Sequence, residues 1–264
     1  MTAKQIRKDL NIVSLGAGKQ STFMLIKSLE GFFNVTPDKA IFIDLGSEPD
    51  FVYKNLEALQ NYCLKNFSFT IDIIKVGPID EHILNFIASK NSTDNAPPFY
   101  LSNGGMLKRH CTSNLKLRPI CQYLTQFRTG NNIIVWIGIS LDEIERMTKS
   151  PIQYITNKYP LIEKRISLSD IKKYFSQSAF EEPGKSACYF CPFHSHLYWK
   201  LLKKQFPLEF KKACDFDNKI RNYPNLTSRA FLHSSLKPLD KINFDFHPSL
   251  FPELIEECVG LCGL

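Results

Sequence analysis

The chain has 264 residues, 44% hydrophobic and 22% charged, which suits one α/β domain with an appendage and is short for two independent domains. The opening residues lack the apolar core of a signal peptide, and no window approaches the ~18–20 unbroken apolar residues of a membrane helix. A cytoplasmic location with no membrane partner is therefore expected. The net charge of +7 favours anionic partners, namely nucleotides, nucleic acid or a nucleoprotein complex. A merely basic surface is the competing reading, and oligomeric state is not readable.

In chain order, apolar and β-branched runs at Asn11–Leu15, Ala40–Leu45, Phe69–Val76 and Asn132–Ile139 read as buried parallel strands. Helical patterns at Gln20–Leu29, Phe51–Lys65, Ile79–Ala88 and Asn114–Phe127 separate them. This alternation predicts an α/β fold with a doubly wound parallel sheet. The stretch Ser89–Gly105, rich in Ser, Asn, Pro and Gly, predicts a long mobile loop of the substrate-lid kind. After Ile139 strands are expected to disappear and prolines to interrupt the helices. Residues 1–150 thus read as a nucleotide-binding domain, and 151–264 as a smaller helical, cysteine-containing region.

The chemistry concentrates in five places. Ser14-Leu-Gly16-Ala17-Gly18-Lys19-Gln20-Ser21-Thr22 follows a strand and opens a helix. Small residues there let the backbone wrap a phosphate against the helix amides and dipole. The spacing is not that of a Walker loop, and the third glycine of a dinucleotide fingerprint is missing. Asp44-Leu-Gly-Ser-Glu48-Pro49 places carboxylates at the end of the second strand, beside the crevice where such sheets bind ligands. A helix cap is the alternative there. Arg109-His110-Cys111 through Lys116-Leu-Arg118-Pro119 sets a cysteine among cations that attract phosphate or sulfate. Cys188-Tyr-Phe-Cys191 can grip a metal from one turn, and Cys258-Val-Gly-Leu-Cys262 closes the chain. With Cys111 these supply enough thiolates for a tetrahedral zinc or a four-cysteine cluster. Cys63, Cys121 and Cys214 sit in helical patterns and read as core cysteines.

The order of these motifs resembles the phosphoadenosine-phosphosulfate reductase family, within the adenine nucleotide α-hydrolase (PP-loop) superfamily. Ser14–Thr22 resembles its Ser-Gly-Gly-x-Asp-Ser loop, and Asp44–Pro49 its Asp-Thr-Gly-x-x-x-Pro stretch. Cys111–Pro119 resembles its Cys-Cys-x-x-x-Lys-x-x-Pro motif, and Gly138–Arg146 its Gly-x-Arg-x-x-Glu-x-x-x-Arg stretch. Cys188–Cys191 resembles its cluster pair. Departures are Gln20 for the loop aspartate, Ser140 for an arginine, His110 for a cysteine, and a terminal Glu-Cys motif without its histidine.

The resemblance implies that ATP or a related adenine nucleotide lies against Ser14, Gly16, Ala17, Gly18, Lys19, Gln20, Ser21, Asp44, Glu48 and Gly138. Arg109, Lys116 and Arg146 are expected to hold the anionic end. It implies a 4Fe-4S cluster on Cys111, Cys188, Cys191 and one terminal cysteine, by preference Cys262, with Cys258 and Asp44 as catalytic groups; Cys258 and Cys262 are exchangeable in these roles, and zinc is the alternative metal, with His194 and His196 just after the pair. The leading expectation is an enzyme that adenylates an acceptor such as a nucleic-acid base for sulfur transfer. The alternatives are a sulfonucleotide reductase and a non-catalytic nucleotide-binding subunit of a nucleoprotein complex.

Overall fold

Runs of Ile, Val and Phe build one parallel sheet. The computed structural model describes residues 8–90, 97–222, 226 and 228–245. The chain runs through β1 (Lys8–Leu15), α1 (Lys19–Leu29), β2 (Lys39–Asp44), α2 (Asp50–Phe67), β3 (Ile71–Lys75) and α3 (Ile79–Lys90). It continues through β4 (Tyr100–Leu101), α4 (Arg118–Leu124), β5 (Asn131–Ile137) and β6 (Ile155–Lys158). Then come α5 (Pro160–Glu163), α6 (Leu168–Gln177), α7 (His196–Gln205), α8 (Pro207–Ile220) and β7 (Ala230–Phe231). The strand order β3-β2-β1-β5-β6, with every pair parallel, is the α/β sheet that the alternating pattern predicts.

Because side chains alternate along a strand, each strand feeds two cores. Val13, Leu15, Phe42 and Trp136 bury with α1, α2 and α6. Ile12, Ile41, Val135 and Ile137 bury on the other face, with residues of α3, α4, α7 and α8. Trp136 is wholly buried, and its Nε1 donates to Asn11 Oδ1 at 3.0 Å; burying one such side chain stabilises the fold by about 1.5–3 kcal/mol. β1 is central. The connections from it to β2 and β3 run through α1 and α2 on one face. The return from β3 to β5 runs through α3 and α4 on the other. The winding therefore reverses between β1 and β5, which is where open α/β sheets hold ligands.

Three expectations change. Strands do not stop at Ile139. β6 joins the sheet beside β5, pairing Ile133 with Ile155 through Trp136 with Lys158, and β7 pairs antiparallel with β4. The sheet therefore takes its fifth strand from beyond residue 150, and one core runs from Ile12 to Trp199 and Phe216. The described end of the Ser89–Gly105 segment is pinned, since Phe99 is fully buried and Tyr100–Leu101 is paired with Ala230–Phe231; residues 91–96 lie outside the described residues. The helix expected over Asn114–Phe127 is composite. A wide π turn over Thr112–Leu117 leads into α4, and a tighter 3₁₀ turn over Thr125–Phe127 ends it. Pro119 explains the first change of pitch, because it has no N–H to donate back along the helix. No helix among the described residues is long and apolar enough to cross a membrane.

Candidate functional site

A cavity of about 610 Å³ opens at the reversal point, walled by the ends of β1 and β5, the start of α1, and segments around Glu48, Lys116, Arg146 and Lys185. Its floor is the turn after β1. Ala17 takes a left-handed backbone, φ 56°, which costs a residue with a Cβ about 1–2 kcal/mol and tightens the turn. Gly18 is the N-cap of α1 and no side chain caps the helix, so the first amides of α1 keep their hydrogens for an outside acceptor. Ser21 holds the turn closed: its Oγ accepts from the Gly16 amide at 3.2 Å and donates to the Gly18 carbonyl at 3.3 Å.

The far wall begins at Gly138, just past β5. A Cβ there would sit 2.9 Å from both the Cα and the backbone nitrogen of Ser21. Only glycine lets β5 approach the start of α1 so closely. Gly138→Ala is therefore expected to push α1 aside and to cost about 1–3 kcal/mol as an overpacking change. Urea unfolding measures this, and a midpoint equal to wild type would show that the contact is slack.

Charges ring the cavity. Glu143 is buried, accepts from Gln20 Nε2 at 3.1 Å, and pairs with Arg146. Glu48, whose side chain is 2% exposed, receives Lys116 at 3.9 Å and the Ser186 hydroxyl at 3.4 Å. Lys19 pairs with Glu182. Lys172, Lys185 and Arg118 complete the cationic wall. Opposite the charges the lining is apolar, with Ile41, Ile43, Val135 and Ile152, as a flat heterocycle needs.

The cavity thus gathers Ser14, Gly16, Gly18, Lys19, Gln20, Ser21, Glu48, Lys116, Gly138 and Arg146. Ala17 shapes the turn from behind it, 1% exposed. Two expected members sit elsewhere. Asp44 is absorbed by its own turn, accepting from the Gly46 amide and the Tyr53 hydroxyl, each at 2.8 Å; Gly46, at φ +65° and packed on Pro78, makes that turn possible. Burial, then the neighbouring Asp44, raises the Tyr53 hydroxyl far above the ordinary phenol range. Arg109 donates to Thr112 Oγ1 at 2.6 Å and lies over the Phe193 ring.

Cys188 and Cys191 share a turn closed by Cys191 N–H donating to the Cys188 carbonyl at 2.9 Å. His194 Nε2 lies 2.9 Å from that carbonyl. The turn is bound to the cavity side of the sheet through Tyr189 N–H donating to the Ser47 carbonyl at 2.9 Å and the Tyr189 hydroxyl donating to Asp80 at 2.6 Å. Among the described residues no three His, Cys, Asp or Glu side chains are placed to hold one metal ion. Cys111, half-buried, is thus not joined to the pair in a ligand set, and His194 and His196 do not complete one. Cys258 and Cys262 lie outside the described residues. Neither a cluster nor a zinc site is therefore completed by the described residues. Burial pushes the Cys63 thiol up to about 12 and, aided by nearby acids, that of Cys214 to about 12. Both are inert core cysteines. Cys121 is also raised by burial, but it borders the cavity.

The residues that sequence reasoning passed over are Lys172, Lys185 and Ser186. Lys172 stands in a basic amphipathic helix, and the other two follow a Pro-Gly pair; neither pattern signals a ligand contact. No family model and no curated protein matches the chain. Among solved structures it is similar to the U34-tRNA thiolase NcsA from Methanococcus maripaludis, determined with its four-iron, four-sulfur cluster, at 11% identity, over 82% of this chain and 73% of that one, with a TM-score of 0.43.

Proposed function

We propose that the chain binds ATP in this cavity and uses it to adenylate an acceptor, a nucleic-acid base being the acceptor class that fits the net charge of +7. One observation carries the reading. The uncapped start of α1 faces a cavity at the winding reversal, with Lys116 and Arg146 on its walls. The base of the nucleotide would lie on the isoleucine side and the phosphates on the amides of α1.

The chemistry follows from placing charge. An acceptor oxygen attacks the α-phosphorus, the bond to the β-phosphate oxygen breaks, and pyrophosphate leaves with the electron pair. The amides of α1 and the two cations stabilise the charge that gathers on the leaving group. A sulfur nucleophile then displaces AMP from the adenylated carbon. Spending ATP turns a poor leaving oxygen into a good one.

Incubation with ATP labelled at the α-phosphate tests the reading. Pyrophosphate and an α-labelled adenylated acceptor are expected once a nucleic-acid acceptor is supplied, with AMP released in equal amount when a sulfur nucleophile is added as well; ADP as the product would sink it. Tight binding without turnover would favour a non-catalytic nucleotide-binding subunit. Gln20 supports that second reading, because its carboxamide, tied to Glu143, stands where a carboxylate would hold a metal ion.

A further inference from the structure

One wall residue of the cavity carries an imbalance. The Nζ of Lys185 is shielded from solvent and, among the described residues, has no hydrogen-bond partner. It lies over the ring of Tyr198, 5.5 Å from the centroid. A ring face offsets only a small part of what an ammonium loses on leaving water. The Tyr198 hydroxyl offers no relief, being buried and without a partner itself. The two acids of the wall are engaged elsewhere: Glu48 with Lys116 and Ser186, Glu143 with Gln20 and Arg146.

The position of Lys185 is set on both sides. Gly184 lies on Phe51, where a Cβ would come 2.6 Å from the ring. Ser186 lies over the phosphate turn, its backbone nitrogen and Cβ each 3.7 Å from where a Gly18 side chain would start. The strap 184–186 therefore crosses the start of α1, and its lysine borders the same cavity as the free amides. Lys185 itself is half-buried and borders the cavity, while its Nζ is shielded against the Tyr198 ring; a shielded ammonium without a counter-charge is half of an ion pair.

We propose that Lys185 is a nucleotide-binding residue whose ammonium turns on its flexible stem from the Tyr198 ring to the phosphate chain of the ligand, so that the empty cavity leaves a charge uncompensated and the filled one does not. The inference rests on the nucleotide reading above. It differs in kind from the roles of Lys116 and Arg146, which have carboxylate partners within the protein. Lys185 contributes to binding and subtracts from the stability of the ligand-free fold.

Those opposite signs give the test. Lys185→Met keeps the aliphatic stem and removes the charge; Lys185→Gln serves as the second variant. Calorimetric titration with ATP is expected to show at least about tenfold weaker binding in both, the loss typical of a charge-assisted hydrogen bond. The melting temperature without ligand is expected to equal or exceed that of wild type. Unchanged ATP affinity overturns the inference while leaving the nucleotide reading intact. Weaker binding together with a lowered ligand-free melting temperature in both variants also overturns it, since that is the signature of a packing role. A wild-type protein that binds no ATP overturns the nucleotide reading itself, and the inference with it.

Discussion

Asp217→Ala is expected to destabilise the protein by about 3–5 kcal/mol, the cost of breaking a buried charge pair from one side. The carboxylate is fully buried in α8. It accepts from the Leu232 amide at 2.8 Å and the Leu239 amide at 3.0 Å, and it pairs with Arg221. Burial raises the carboxyl above its ordinary range, while the two amides and Arg221 pull it down. Removing it leaves a guanidinium and two amides without their acceptor in the interior. Arg221 also donates to the Ala230 carbonyl at 2.7 Å and stacks on Phe231, so the damage reaches β7 and, through its pairing, β4. For a chain of this size the melting temperature should fall on the order of 10 °C. A drop of only a degree or two in calorimetry would mean that water replaces the carboxylate at little cost.

The second large effect concerns binding. Alanine at Lys116 and Arg146 together is expected to weaken ATP at least a hundredfold, since each charged hydrogen bond is worth about 1.5–3 kcal/mol. Both border the cavity, and each is aimed by a buried carboxylate, Glu48 or Glu143. Arg109→Ala should leave affinity within about twofold, because that guanidinium lies outside the cavity lining, donating to Thr112 and lying over Phe193. The pairing of results is what counts. If Arg109→Ala weakens ATP as much as the double variant does, the anion does not lie where the cavity walls place it.

Much of this was open to reading from residue patterns, and the exceptions are physical. β1, β2 and β5 each contain adjacent apolar residues buried on both faces, such as Ile12-Val13, Ile41-Phe42 and Val135-Trp136, so their strand character is plain. β6 is Ile155-Thr-Asn-Lys158 with one buried residue. Its strand character comes from the edge of β5 that it completes, and no local pattern encodes that. The turn between β1 and α1 is readable because three small residues between an apolar run and a helical pattern have few other uses. Asp44 is not, because a carboxylate at a strand end serves equally well as a cap for its own turn, and here Gly46 and Tyr53 claim it. Lys185 is hidden for another reason: what singles it out is the lack of a partner in three dimensions, which one-dimensional order cannot display.

The contact between Gly138 and Ser21 also governs when in the life of the chain the site can exist. Ser21 follows β1 and Gly138 follows β5, its neighbour in the sheet, but 116 positions of chain separate them, from residue 22 to residue 137. A ribosome that has delivered α1, β2 and β3 has exposed the phosphate turn with one wall of the cavity missing. Closing a loop of that length is an entropic cost met only when β5 docks. The turn is therefore not a complete site as a local element. The two walls of the cavity therefore meet only at the topological closure of the sheet, and anything that binds between them would select molecules in which that closure is complete.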